Sequence, residues 1–176
     1  MIARLASACL ALAVAGATAP PPRPAGVFRL PVPVIAQAPE RCGPAVLAMV
    51  MRFHGASDSA VAEADRAYSA ELRGALVTDL ARAAERAGFA ARVTALTEDS
   101  LLAMLRDSVP PILHYRTGAG PVTRGHYGVL AGWDPARREY LVNDGNAKTA
   151  RYGHDDLMRR WKSADSLTLI VLKRAP

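Results

Sequence analysis

Apolar positions along the chain first recur at three- and four-residue intervals, then gather into short unbroken runs. Val46, Leu47, Val50 and Phe53 share one face of a helical period, so an amphipathic helix is expected over residues 43–54, closed by Gly55. Ser57, Asp58 and Ser59 offer N-caps for a second, short helix reaching residue 68. A third helix is expected over 76–87, with Gly88 closing it, and Thr97 can cap a fourth over 98–106. Between those two, residues 89–94 read as a strand. After Pro110 the pattern changes: 112–115 and 126–133 are apolar runs of strand length, and 139–143 pairs back on the second across turn residues 134–138. A glycine-bearing loop is expected over 117–125, a short helix over 155–161 and a last strand over 167–172. The prolines within 28–35 suit an edge or extended segment. Helices first and a meandering antiparallel sheet afterwards make an α+β arrangement.

The amino-terminal residues follow neither period. Arg4 precedes an unbroken small and apolar run over 5–15, and Ala15-Gly16-Ala17-Thr18-Ala19 offers small-x-small cleavage sites. That is the three-part pattern of a secretory signal peptide, too short to span a bilayer comfortably. Pro20-Pro21-Pro22-Arg23-Pro24 then forms a stiff linker. The expected organisation is a signal peptide over 1–19, a proline-rich linker over 20–27 and one domain over 28–176. The expected location is the periplasm or the outside of a bacterial cell.

Composition narrows the function classes. With 176 residues, 51% hydrophobic and 22% charged, the chain can build one sizeable core and is not disordered throughout. Two cysteines make neither a disulfide framework nor a four-cysteine zinc site. The +6 charge is scattered, and with 6% aromatics no basic-aromatic block suggests a nucleic-acid partner. Cys9 lies in the leader, so the mature chain is expected to keep one thiol, Cys42.

Cys42 falls at the start of the first expected helix, where unsatisfied N–H groups favour a thiolate. A thiol nucleophile needs a base and a group to orient that base. Of the four histidines, His54 sits too far along the helix and is expected to satisfy its C-terminus. His154 is expected at a helix cap or the surface, and His114 as a hydrogen-bonded, half-buried strand residue. His126 opens a strongly apolar strand after the loop. A turn centred near residues 135–136 sets His126 opposite residues 144–146, where the Asp144 carboxylate can accept the second imidazole N–H. Asn143 is expected on the opposite face and Asn146 as the reserve orienter. Gln37, five residues before Cys42, can supply an oxyanion donor with the Cys42 main-chain N–H.

Gln37 with Cys42-Gly43-Pro44-Ala45, the His126–Asp134 run and the Asn143-Asp144 end of the hairpin together resemble the double-glycine leader (bacteriocin-processing) peptidases and their free-standing secreted relatives. The resemblance covers residues 32–172. It implies a papain-like fold with Cys42 as nucleophile, His126 as general base and acid, Asp144 as orienter and Gln37 in the oxyanion hole. Two departures stand out: nothing spans a membrane repeatedly, and Gly145 follows the aspartate where the family often has proline. The expectation is an exported, monomeric cysteine peptidase acting on peptide or protein substrates without metal or organic cofactor. An envelope or exporter component is the candidate partner. A cell-wall peptide amidase or transpeptidase would use the same triad, and an idle binding domain on the same fold is the rival from a different class.

Overall fold

Helix α1 (Cys42–Phe53) is the element around which the rest assembles. Val46, Leu47, Met49, Val50 and Met51 are each completely buried, a stripe in which each large side chain contributes about 1.5–3 kcal/mol. The computed structural model describes residues 26–119 and 122–174. The expected signal peptide and all of the linker but residues 26–27 lie outside them.

Strand β1 (Phe28–Arg29) and an extended segment lead into α1. The expected second helix divides into α2 (Asp58–Val61) and a 3₁₀ turn, Ala62–Ala67. Then come α3 (Val77–Arg86), β2 (Phe89–Ala95) and α4 (Glu98–Arg106), the last capped by Thr97, whose Oγ1 accepts the Ser100 N–H at 3.2 Å. Strands β3 (Ile112–Ala119), β4 (Val122–Asp134), β5 (Glu139–Asn143) and β6 (Ala150–Gly153) follow, then α5 (His154–Lys162) and β7 (Leu167–Lys173).

The sheet is antiparallel, in the order β2-β7-β3-β4-β5-β6, with β1 on β4. It is therefore not a simple meander: the last strand returns and inserts between β2 and β3. The expected loop over 117–125 is also a ladder, with Thr117 opposite Arg124 and Gly118 opposite Thr123. The β-branched Thr117, Val122 and Thr123 favour that pairing, so His126 lies inside β4 rather than at its mouth. Strand β6 carries no apolar run and was not expected from the pattern.

The register of β4 on β5 shifts between Leu130 and Gly132. This irregularity lies where β1 joins β4, with Arg29 opposite Gly132. A Cβ on Gly132 would stand 2.3 Å from the Phe28 carbonyl oxygen, a main-chain atom with no freedom to yield. Asn143, on β5, fastens the same entry segment by donating from Nδ2 to the Val32 carbonyl at 3.1 Å. Gly132→Ala is expected to force β1 from β4 and to lower unfolding stability by about 1–3 kcal/mol. A urea midpoint equal to that of the unaltered protein would contradict this close approach.

Candidate active site

Cys42 is the first residue of α1, half-buried and the free cysteine of the described residues. No side chain caps the helix there, so its first N–H groups remain directed at the sulfur end. Burial pushes the Cys42 thiol up, but the His126 hydrogen bond and charge, with the Tyr127 and Gly43 main-chain N–H groups, bring it below the ordinary cysteine value. Burial likewise pushes His126 down, and its bond and charge interaction with Cys42, followed by Asp144, raise it above the ordinary value. Both shifts run in the direction that favours transfer of the thiol proton to the imidazole.

His126 Nε2 lies 3.0 Å from the Asp144 main-chain carbonyl. A carbonyl can only accept, so Nε2 carries the proton and Nδ1 is left for the sulfur. This differs from the expected carboxylate contact. The Asp144 carboxylate is buried and satisfied elsewhere: Oδ1 accepts from the Asn146 N–H at 3.2 Å and Nδ2 at 2.7 Å, and Oδ2 from the Tyr152 hydroxyl at 2.9 Å. Asn146 thus holds the aspartate instead of replacing it. The carboxylate acts on His126 through its charge, and the carbonyl sets the ring's orientation.

Gln37 borders the same cleft as Cys42 and His126, a space of about 690 Å³. Its main-chain N–H donates to the Gly145 carbonyl at 2.8 Å. Its side-chain Oε1 is buried without a hydrogen-bond partner, against Gly145, where an added Cβ would stand 2.2 Å from that oxygen. Turning Oε1 inward leaves the amide N–H groups as the end available to the cleft. Gly145 has φ +88°, which proline cannot adopt. The absence of a Cβ at Gly145 is thus what leaves room for the Gln37 side chain.

Strand β4 also brings main-chain groups to the cleft. The Leu130 N–H points to the β3 side, where it donates to the Pro111 carbonyl, whereas the Tyr127 N–H points at the Cys42 sulfur on the other side. By strand alternation the main-chain groups of Gly125 face as Tyr127 does. Strand β5 joins that side only from Val129 onward.

The family model for peptidase C39 matches residues 32–174. The chain belongs to the peptidase C39 family. Its members are cysteine peptidases. Three solved structures share the fold of this C39 chain. The double-glycine-motif protease of an AMS/PCAT transporter, crystallised with a leader peptide, is 21% identical over 84% of this chain and 95% of that one, with a TM-score of 0.65. The peptidase domain of Streptococcus ComA, a bi-functional ABC transporter, is 23% identical over 81% and 99%, with a TM-score of 0.64. A C39-like peptidase from Bacillus anthracis is 15% identical over 87% and 100%, with a TM-score of 0.70. No curated protein matches the chain. Among the described residues no helix is long and apolar enough to cross a membrane, and no group of three or more His, Cys, Asp or Glu side chains could hold a metal ion.

The other histidines of this C39 domain follow expectation only in part. His54 Nε2 donates to the Val171 carbonyl of β7 at 3.0 Å, so it ties α1 to the sheet rather than closing its own helix. His154 starts α5 and bridges to Glu98 at the start of α4, 2.9 Å from Oε1. His114 is half-buried as expected but has no hydrogen-bond partner among the described residues, and it lines the cleft. Tyr115 and Tyr152 were missed as site residues. The Tyr115 ring meets His126 edge-on at 5.4 Å, and its hydroxyl lies 3.5 Å from that of Tyr152. The only available signal was register: Tyr115 opposes His126 across β3 and β4.

Two outcomes follow from this geometry. His126→Ala leaves burial as the dominant influence on Cys42, so iodoacetamide alkylation at pH 6 should slow about tenfold for each pKa unit regained; an unchanged rate would show that His126 does not hold the thiolate. Asp144→Asn keeps the main-chain carbonyl on His126. Its loss in kcat/KM should be about tenfold, far from the roughly 10⁴-fold loss typical where a carboxylate itself bonds the imidazole.

Proposed function

We propose that the chain is an exported cysteine peptidase that cleaves peptide bonds through Cys42, His126 and Asp144, with Gln37 in the oxyanion hole. The observation that carries this reading is that Cys42, at a helix start, and His126, held by the Asp144 carbonyl, border one open cleft; the downward push on Cys42 and the upward push on His126 support it. A lone buried thiol with a structural role would have only the upward push of burial.

In the proposed reaction the Cys42 thiolate attacks the scissile carbonyl carbon. Charge developing on the carbonyl oxygen is met by the Cys42 main-chain N–H and the Gln37 amide. His126, protonated at Nδ1, gives that proton to the leaving amine, and the C–N bond breaks to leave a thioester on Sγ. Water then loses a proton to His126 and attacks the thioester, releasing the acid and restoring the ion pair. The Gly125 edge of β4 supports a substrate bound in extended form, because its main-chain groups face the cleft. The leader peptide bound to the AMS/PCAT protease supports a peptide substrate here as well. Export rests on the pattern of residues 1–19. On this reading the working domain begins near residue 28 and acts as a monomer, with an envelope or exporter component as its candidate partner.

Activity should be bell-shaped in pH. It is lost as pH falls through the lowered Cys42 value and protonates the thiolate, and lost again as pH rises through the raised His126 value and strips the imidazolium. Cys42→Ala should abolish peptide cleavage. Gln37→Ala should lower kcat about 10²- to 10³-fold while leaving Cys42 alkylation unchanged, because an oxyanion donor acts on the transition state and not on the resting thiolate. Full peptidase activity in Cys42→Ala, or parallel losses of kcat and alkylation in Gln37→Ala, would overturn these assignments.

A further inference from the structure

Resting on the peptidase reading, we propose that the cleft beside Cys42 contains a subsite for a large substrate side chain with an apolar body and a polar tip, for which tyrosine is the best fit among the protein residues. The wall of this subsite is apolar and open: Leu72 and Leu76 are 55% and 52% exposed, and both border the cleft together with Ala75. Its floor is an aromatic pair, Tyr127 and His114, with ring centroids 5.0 Å apart. The two oppose each other across β3 and β4 and therefore share one face of the sheet. The Tyr127 hydroxyl, donating to the Ala75 carbonyl at 3.0 Å, fixes the floor to the wall.

The polar tip is assigned by His114. Its imidazole is half-buried among these groups, and neither ring nitrogen has a hydrogen-bond partner among the described residues. The ring occupies space that exists because residue 125 is glycine: an added Cβ there would stand 2.7 Å from His114 Nε2. Burial, then the Arg116 charge, hold His114 below the ordinary histidine value, against a smaller opposing effect of Asp165. It therefore stays neutral at neutral pH and presents one donor and one acceptor. A neutral imidazole with no partner among the described residues, beside this apolar wall and aromatic floor, matches a hydroxyl carried on a flat ring; Glu40, Arg73, Thr117 and Arg124 border the rest of the cleft. The volume of the cleft also exceeds the need of a pair of glycines.

Sites built to hydrogen-bond a substrate hydroxyl discriminate against analogues that lack it. The test is protection of Cys42 from iodoacetamide by short blocked peptides ending in tyrosine amide, phenylalanine amide or diglycine amide. The tyrosine peptide should protect at least about fivefold better than the phenylalanine peptide, and both better than diglycine. His114→Phe should erase or reverse the tyrosine preference, each variant's protection being scored against its own alkylation rate without peptide, and Gly125→Ala should weaken it by displacing the ring. Equal protection by tyrosine and phenylalanine, strongest protection by diglycine, or an unaltered preference in His114→Phe would each overturn the subsite. Protection is scored without turnover, so an ordinary, slow Cys42 alkylation at pH 6 would count against the peptidase reading alone.

Discussion

The pairing of Cys42 with His126 is the interaction on which the rest of the site depends. Each partner, left to burial, would be neutral: burial raises the thiol and lowers the imidazole. Their mutual hydrogen bond and charge reverse both tendencies, and the Tyr127 and Gly43 N–H groups tip the balance further towards the thiolate. The fold's task is to bring the first turn of a buried helix against the inside of a strand far along the chain. The fully buried stripe of α1 anchors one partner, and the ladders of β4 with β3 and β5 anchor the other.

Around that pair, Asp144 divides its work between two groups. The carbonyl fixes the imidazole, while the carboxylate is held by Asn146 and Tyr152 and contributes charge. This arrangement makes the main-chain path after β5 part of the site. Gly145 continues it: the left-handed turn brings its carbonyl to the Gln37 N–H and leaves room for the Gln37 side chain. The orienting residue and the proposed oxyanion donor are thus set by adjacent positions of one turn. A buried amide oxygen without a partner is costly. Its presence at Gln37 is consistent with a side chain positioned for its other end.

Helical elements were legible from the sequence because caps and period agreed. Thr97, Gly55 and Gly88 each sit at the helix end they were expected to mark. The nearness of His126 to Asp144 was legible only as a range, residues 144–146, because the ladder ends at Val129 opposite Asn143 and the contact is made by the chain beyond it. What register could not reveal was which atom of Asp144 meets the imidazole, because that depends on the chain path after β5 and on Tyr152 from β6. Strand β6 has no apolar alternation to announce it, and its place is set by pairing with β5. The return of β7 between β2 and β3 likewise leaves no local trace. His114 is half-buried as strand alternation implies, but its expected hydrogen bond is not found among the described residues; its ring lies instead against Gly125 of the neighbouring strand, a contact with no local trace.

A thiolate–imidazolium pair in the resting site has a spectroscopic signature. The most direct measurement is an ultraviolet titration of thiolate absorbance, taken as the difference between the unaltered protein and Cys42→Ala, with the protonation of His126 followed by NMR over the same pH range. The ion pair predicts thiolate absorbance well below the ordinary cysteine range, in company with a protonated His126. Thiolate absorbance that appears only in the ordinary cysteine range, after His126 has already become neutral, would contradict it.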